Sequence, residues 1–405
     1  MKKIIAMLLA CLMIVGLFAG CGEKTKNVTL KVWGPSEDQA DENSFLQVAC
    51  KKFAEAHPEW NLTFEYGVCS EGDAGKNVTQ DPETAADVYA FANDQLGTLI
   101  QANAIAKLGG SALEQVKTDN TQRMIDTVSD AEGNVYGVPF TVNTWFMYYD
   151  SSKVTAEDAK SLDAMMAKGT VAFPITNTWY LPAFYYANGG TMFGDGTDGS
   201  AGITFGGEAG AAVTAYLANA IAAGTLIDDA NGAGLDGFRN GTIVAMFSGT
   251  WDCKAVEEAL GANYAAAPAP SITIDGAEKQ MLPFAGSKAY GVNPNSKNME
   301  AAVALAAWLG SADMQALHEE LRAGAVQPIA NSVVSNSTSA NAAAIAQNEG
   351  FNSYSVLQPN ITEMGNYWSN AESMGKGLAN KTTTADTAAA DTEAWNDAIN
   401  GKGGL

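Results

Sequence analysis

Five places in this 405-residue chain set an aromatic ring beside short polar side chains. They are Phe91-Ala92-Asn93-Asp94-Gln95, Asn143-Thr144-Trp145 ahead of Tyr148-Tyr149, Asn177-Thr178-Trp179-Tyr180, Ser248-Gly249-Thr250-Trp251-Asp252 and Asn366-Tyr367-Trp368. Flat aromatic faces suit the C–H faces of a sugar ring, and Asn, Asp and Gln suit its hydroxyls. If a ring covers roughly 100 Å² of apolar sugar surface, about 25 cal/mol per Å² gives at most about 2.5 kcal/mol per station. Two or three stations would support micromolar binding after the cost of association. Any one ring taken alone reads first as core packing. The recurrence points to a groove.

Other chemistries lack their residues. There is no G-x-S-x-G elbow, H-E-x-x-H pair, P-loop or dinucleotide fingerprint. Carboxylates are abundant, but acid/base work needs two at a set separation, which a sequence does not give. Gly189-Gly190 and Gly206-Gly207 read as turns before helices. Cys50, Cys69 and Cys253 have no metal-ligand spacing. Cys50 and Cys69 could pair in an oxidising compartment, and Cys253 reads as a buried or half-buried free thiol. His57, before Pro58, and His318, beside Glu319 and Glu320, read as surface residues. The net charge of −22 disfavours nucleic acid and anionic lipid as partners, and a neutral ligand fits best.

The elements that must position these stations alternate in type. Leu30 to Trp33 reads as a strand breaking at Gly34-Pro35, then a helix from about Asn43 to Ala56 stops at Pro58. Asn61 to Tyr66 and Ala86 to Phe91 are the next strands. Val171 to Phe173 and Ile243 to Phe247 follow, with helices near Leu181 to Asn188 and Gly210 to Ala223. Ala289 to Val292 is a further strand, and Met299 to Leu309 an Ala-rich helix. Thr382 to Thr392 reads as a loop before a closing helix with Trp395 and Ile399. This order is α/β with a parallel or mixed sheet, and the length suits about two domains. In such sheets ligands sit outside the carboxyl ends of strands, where several of the stations fall.

The first residues read as an export leader. Lys2 and Lys3 precede an apolar run from Ile4 to Phe18, too short for a membrane span. The Phe18-Ala19-Gly20-Cys21 ending resembles the lipobox of bacterial lipoproteins, which implies lipidation of Cys21. The alternative is an ordinary secreted protein with an incidental cysteine.

At the aromatic-polar stations the chain resembles the extracellular solute-binding proteins of ABC importers (family 1), in particular the maltose/maltodextrin-binding branch. Its most specific pieces are Ala86 to Gln95, Tyr136-Gly137-Val138-Pro139-Phe140, and Phe238-Arg239-Asn240-Gly241 running through Ala245-Met246 to Gly249-Thr250-Trp251. The resemblance implies a two-lobe, periplasmic-binding-protein-like fold with a hinge and discontinuous domains. The leader would be 1–20, a tether 21–27, the N-terminal lobe 28–141 and 287–328, and the C-terminal lobe 142–284 and 329–405. Crossings would fall near Thr141, Pro283 to Gly286 and Pro328.

The resemblance also implies site residues. Phe91 would be the N-lobe aromatic platform and Asp94 the carboxylate for sugar hydroxyls. Gln95 stands where the branch often carries a base, and Glu37 is the counterpart of a further polar contact. Asn143 and Asn177 take places usually held by acids, beside Trp145 in the second station. Trp179, Trp251 and Trp368 match C-lobe aromatics. The implied protein is a monomeric receptor without catalysis, cofactor or metal, anchored outside the cell through Cys21 and handing oligosaccharide to importer membrane subunits. A receptor for another neutral sugar, a surface glycoside hydrolase or lyase, and a sugar sensor or adhesion lipoprotein remain the alternatives.

Overall fold

The computed structural model describes residues 25–322, 326–333 and 341–402. The leader and Cys21 lie outside them. β1 (Lys26–Gly34) begins inside the stretch expected to be tether, with Lys26 paired to Trp60.

β1, β2 (Trp60–Val68) and β3 (Val88–Ala92) are parallel neighbours, joined by the helix Phe45–Ala56 and by shorter helical turns. All five residues of β3 are buried, as expected of a strand covered on both faces. β4 (Gly137–Asn143) ends this stretch, and the chain enters a second sheet at β5 (Phe146–Asp150). β6 (Thr170–Phe173), β7 (Leu226–Asp228), β8 (Ile243–Ser248) and β9 (Tyr264–Ala267) complete that sheet in the order β7-β6-β8-β5-β9. β10 (Ser271–Ile274) and β11 (Ala277–Gln280) form a separate hairpin.

β12 (Phe284–Val292) returns to the first sheet, antiparallel to both β3 and β4. Its start pairs instead with β13 (Val356–Leu357). Phe284 packs in the core around the second sheet, whereas Ala289 packs in the core around the first. The expected strand Ala289 to Val292 is thus the last part of a nine-residue strand that joins the two halves. The first core draws on residues from Val28 to Phe140 and from Ala289 to Val326, the second on Trp145 to Phe284 and Met364 to Ile399. The sheets are mixed α/β, as expected.

Three expectations change. The closing helix Ala388–Ile399 starts inside the stretch expected to be loop, because Ala388, Thr392 and Trp395 fall on one buried face. Cys50, Cys69 and Cys253 are all buried free thiols, so no Cys50–Cys69 bridge forms. His318 is buried at 1% exposure, whereas Glu319 is half-buried and Glu320 exposed on the same helix, Ala312–Leu321. Its ring lies 3.7 Å from that of Phe45 at an interplanar angle of 4°. Among the described residues, no helix is long and apolar enough to cross a membrane.

Candidate ligand-binding site

The turns after β6 and β8 open onto a cavity of about 690 Å³. That is the size of an ordinary small-ligand pocket. Trp251 and Trp368 line it with Tyr180, Asn177, Asn231, Asp229, Asp252 and Glu372. No Lys, Arg or His is among its lining residues. Trp251 is 41% exposed, so its ring can meet a ligand. It reaches that position by folding back over Gly249, where a Cβ would overlap the indole.

Local hydrogen bonds build the turn after β6. Asn177 Oδ1 accepts from the Trp179 N–H at 3.0 Å, a self-closing Asx arrangement. Asp228 receives the Thr176 N–H at 3.1 Å and its hydroxyl at 2.9 Å. Trp179 stands beside Trp251, centroids 6.2 Å apart, and its Nε1 donates to Gln358 Oε1 at 3.0 Å. Deeper, Ser248 Oγ donates to Asp252 Oδ2, and Asp229 Oδ1 accepts from the Gly234 N–H at 2.6 Å. Burial pushes the Asp229 carboxyl upward, and the charges of Asp252 and Asp228 add to the push.

The first half of the molecule contributes Asp94, in the turn Asn93–Gln95 after β3. Asp94 and Trp368 line one small recess together with Gln101, Asn360 and Thr362. Burial pushes the Asp94 carboxyl up to about 6, against the Gln95 hydrogen bond and the positive charge of Lys288. Gln95 Nε2 donates to Asp94 Oδ2 at 2.6 Å. Trp368, on the helix Met364–Ala379, therefore borders both recesses.

Four expected residues stand elsewhere. Phe91 is wholly buried, its ring packed against Tyr89 and over Gly137, so it is core and offers no platform. Trp145 is also wholly buried, between Phe173, Tyr180 and Phe247. It supports the site only from beneath, with Tyr180 stacked on it at 5.3 Å. Asn143 is 6% exposed, at the end of β4 opposite Gly286. Glu37 is exposed in the turn Ser36–Asp38, 3.5 Å from Arg322. Asp229 and Glu372 were not singled out from the sequence, and Tyr180 and Asp252 belong to two of the aromatic-polar stations but were assigned no contact there. Among the described residues, no group of three or more His, Cys, Asp or Glu side chains is placed to hold a metal.

The family model for bacterial extracellular solute-binding protein matches residues 48–349. The chain belongs to that family. A galactooligosaccharide-binding protein of Bacillus subtilis (strain 168) is 28% identical over 72% of this chain and 71% of its own. A maltooligosaccharide ABC transporter solute-binding lipoprotein of Streptococcus pneumoniae (strain ATCC BAA-255 / R6) is 25% identical over 93% of this chain and 92% of its own. A structure solved with acarbose is 46% identical, with a TM-score of 0.88 over 93% of this chain and 99% of its own. The ligand-free maltodextrin-binding protein of L. casei BL23, at 24% identity and a TM-score of 0.80, covers 92% of this chain and 99% of its own and shares the fold. Members of the family bind solutes, so the cavity between Trp251 and Trp368 is the place to seek one.

Proposed function

We propose that this chain captures maltodextrin-type oligosaccharides outside the cell and hands them to an ABC importer, without catalysing a reaction on them. The observation that carries this reading is the pairing of two accessible indoles, Trp251 and Trp368, with carboxylates and amides in a cavity lined by no base. Rings supply stacking faces for sugar C–H surfaces, and the polar groups take hydroxyls. The relative solved with acarbose, a mimic of an α-linked glucose oligomer, supports the α-glucan choice. Closure would follow from a sugar that touches Asp94 on one lobe and Trp251 on the other, because only the closed state offers both sets of contacts. We take residues 28–141 with 287–328 as one lobe and 142–284 with 329–405 as the other. The protein would act as a monomer, held at the membrane through a lipid on Cys21 after removal of residues 1–20.

Calorimetric titration with maltose through maltoheptaose tests the ligand. The galactooligosaccharide-binding relative favours a second reading, so galactooligosaccharides belong in the same panel. Heat with maltodextrins supports the first reading; heat with galactooligosaccharides alone replaces it with the second. Chromatography of excess sugar after incubation tests for turnover, and any shortened product overturns the non-catalytic reading. Labelling with radioactive palmitate, compared between wild type and Cys21→Ala, tests the anchor.

A further inference from the structure

Lys288, on the strand that joins the two halves, stands at the end of the first lobe that carries Glu71 and Asp94. Lys288 lies in β12 between Ala92 of β3 and Thr141 of β4, immediately before a register shift at Ala289. Such irregularities re-aim side chains next to binding sites. The lysine side chain is 22% exposed, and its Nζ donates to Glu71 Oε1 at 3.1 Å. Glu71 sits in the turn Glu71–Asp73, which follows β2. Lys288 is also the cation whose charge acts on Asp94, after β3. The ammonium thus pairs with the acid after β2, while the backbone of Lys288 stands opposite Ala92, two residues before the acid that follows β3. The same strand runs back through Ser287, bonded to Thr127 at 2.6 Å, to Phe284 in the other core.

We propose that Lys288 is a positioning residue for sugar capture, fixing the Glu71 turn and the Asp94 turn at the lip of the first lobe and tying both to the joining strand. The inference rests on the sugar-binding reading above. Its chemical logic is that a buried acid such as Glu71, left without its base, is costly and reorients towards water. Removing the lysine would therefore free both turns and leave Asp94 without its neighbouring positive charge. Arginine can retain a charge there, methionine cannot.

The test titrates the full chain with whichever sugar of the panel wild type binds most tightly. Wild type is compared with Lys288→Met, Lys288→Arg, Glu71→Gln and the double variant Lys288→Met/Glu71→Gln, with a thermal melt for each. Lys288→Met and Glu71→Gln should each weaken binding by about tenfold or more, and the double variant should be no weaker than the worse single, as for a pair acting together. Lys288→Arg should return affinity to within about threefold of wild type, a rescue that a loss of core packing would not give. Lys288→Met binding as wild type does, or effects of Lys288→Met and Glu71→Gln that simply add, overturns the inference. If Lys288→Met does not fold, unchanged affinity in Glu71→Gln overturns it and a tenfold loss there with rescue in Lys288→Arg upholds it. A wild type silent towards every sugar overturns the sugar reading and this inference with it.

Discussion

Arg322 holds Asp38 at 2.7 Å, across 284 residues of sequence. His318 Nε2 lies 3.1 Å from the same carboxylate, so the turn that follows β1 is fastened to the helix Ala312–Leu321 and the residue after it. Asp38 is 2% exposed. Burial alone would raise its carboxyl, but His318 and Arg322 together hold it far below the usual carboxylate range.

The pair should matter most at neutral pH. Arg322→Met leaves a buried acid with its guanidinium gone and should cost about 3 kcal/mol of stability at pH 7. A carboxylate whose folded pKa is depressed contributes stability that is full above its unfolded value, about 3.9, and is lost as pH falls below it. The gap between wild type and variant in urea melts should therefore narrow from pH 7 to pH 3. A gap that holds constant across that range would place the cost in lost packing and not in the ion pair.

Trp251 and Trp145 should separate binding from folding. Trp251→Ala should weaken sugar binding by more than about tenfold, roughly one stacking station, and barely move the melt. Trp145→Ala removes a ring enclosed by Phe173, Tyr180 and Phe247 and should destabilise by about 3 kcal/mol or more. Titration and melting of the two variants check this. An unchanged affinity in Trp251→Ala would mean that its exposed ring does not meet the sugar.

That contrast also marks what was legible in the chain. β1 and β2 alternate, and the Ile243 strand is an apolar run, so their carboxyl ends and the Trp251 turn could be located from residue pattern. Inside β3 the pattern fails, because all five residues are buried and nothing distinguishes the face of Phe91. Trp145 sits between two strands of different sheets, where proximity to Asn143 in sequence says little about exposure. Glu319 and Glu320 suggested a solvated His318, yet Gln315 and His318 share the inward face of their helix. The Glu71–Lys288 and Asp38–Arg322 pairs join residues 217 and 284 positions apart, and no local spacing announces them.

The three thiols should behave as core residues. Cys50 is wholly buried and its thiol is pushed up to about 12 by burial, against a hydrogen bond with Tyr66. Cys69 is 3% exposed and its Sγ receives Asn77 Nδ2 at 3.3 Å. Such thiols carry little thiolate at neutral pH and react slowly. Alkylation of residues 25–405 by iodoacetamide should be negligible in native buffer and reach all of Cys50, Cys69 and Cys253 in urea, read by intact mass. A mass two hydrogens short in urea without reductant would reveal a bridge and contradict the free-thiol arrangement.

Asp94 should make sugar capture pH-dependent. Its carboxyl is pushed up to about 6, chiefly by burial, with Lys288 and Gln95 pulling the other way. The charged group that acts on it is Lys288 on β12, which is itself bonded to Glu71. A folded pKa raised above the unfolded one means that stability falls as pH rises from about 4 to about 6, since ionising the buried acid costs energy. Binding runs in the opposite sense. Sugar hydroxyls donate more strongly to a carboxylate than to a neutral carboxyl, a difference of about 1 to 1.5 kcal/mol per bond. Affinity should therefore rise about fivefold between pH 5 and pH 7, with its midpoint near 6. Calorimetric titration at half-unit steps measures the rise, and Asp94→Asn should bind more weakly at pH 7 and lose the step. A wild-type affinity that is flat across this range would mean that the Asp94 carboxylate takes no hydroxyl from the sugar.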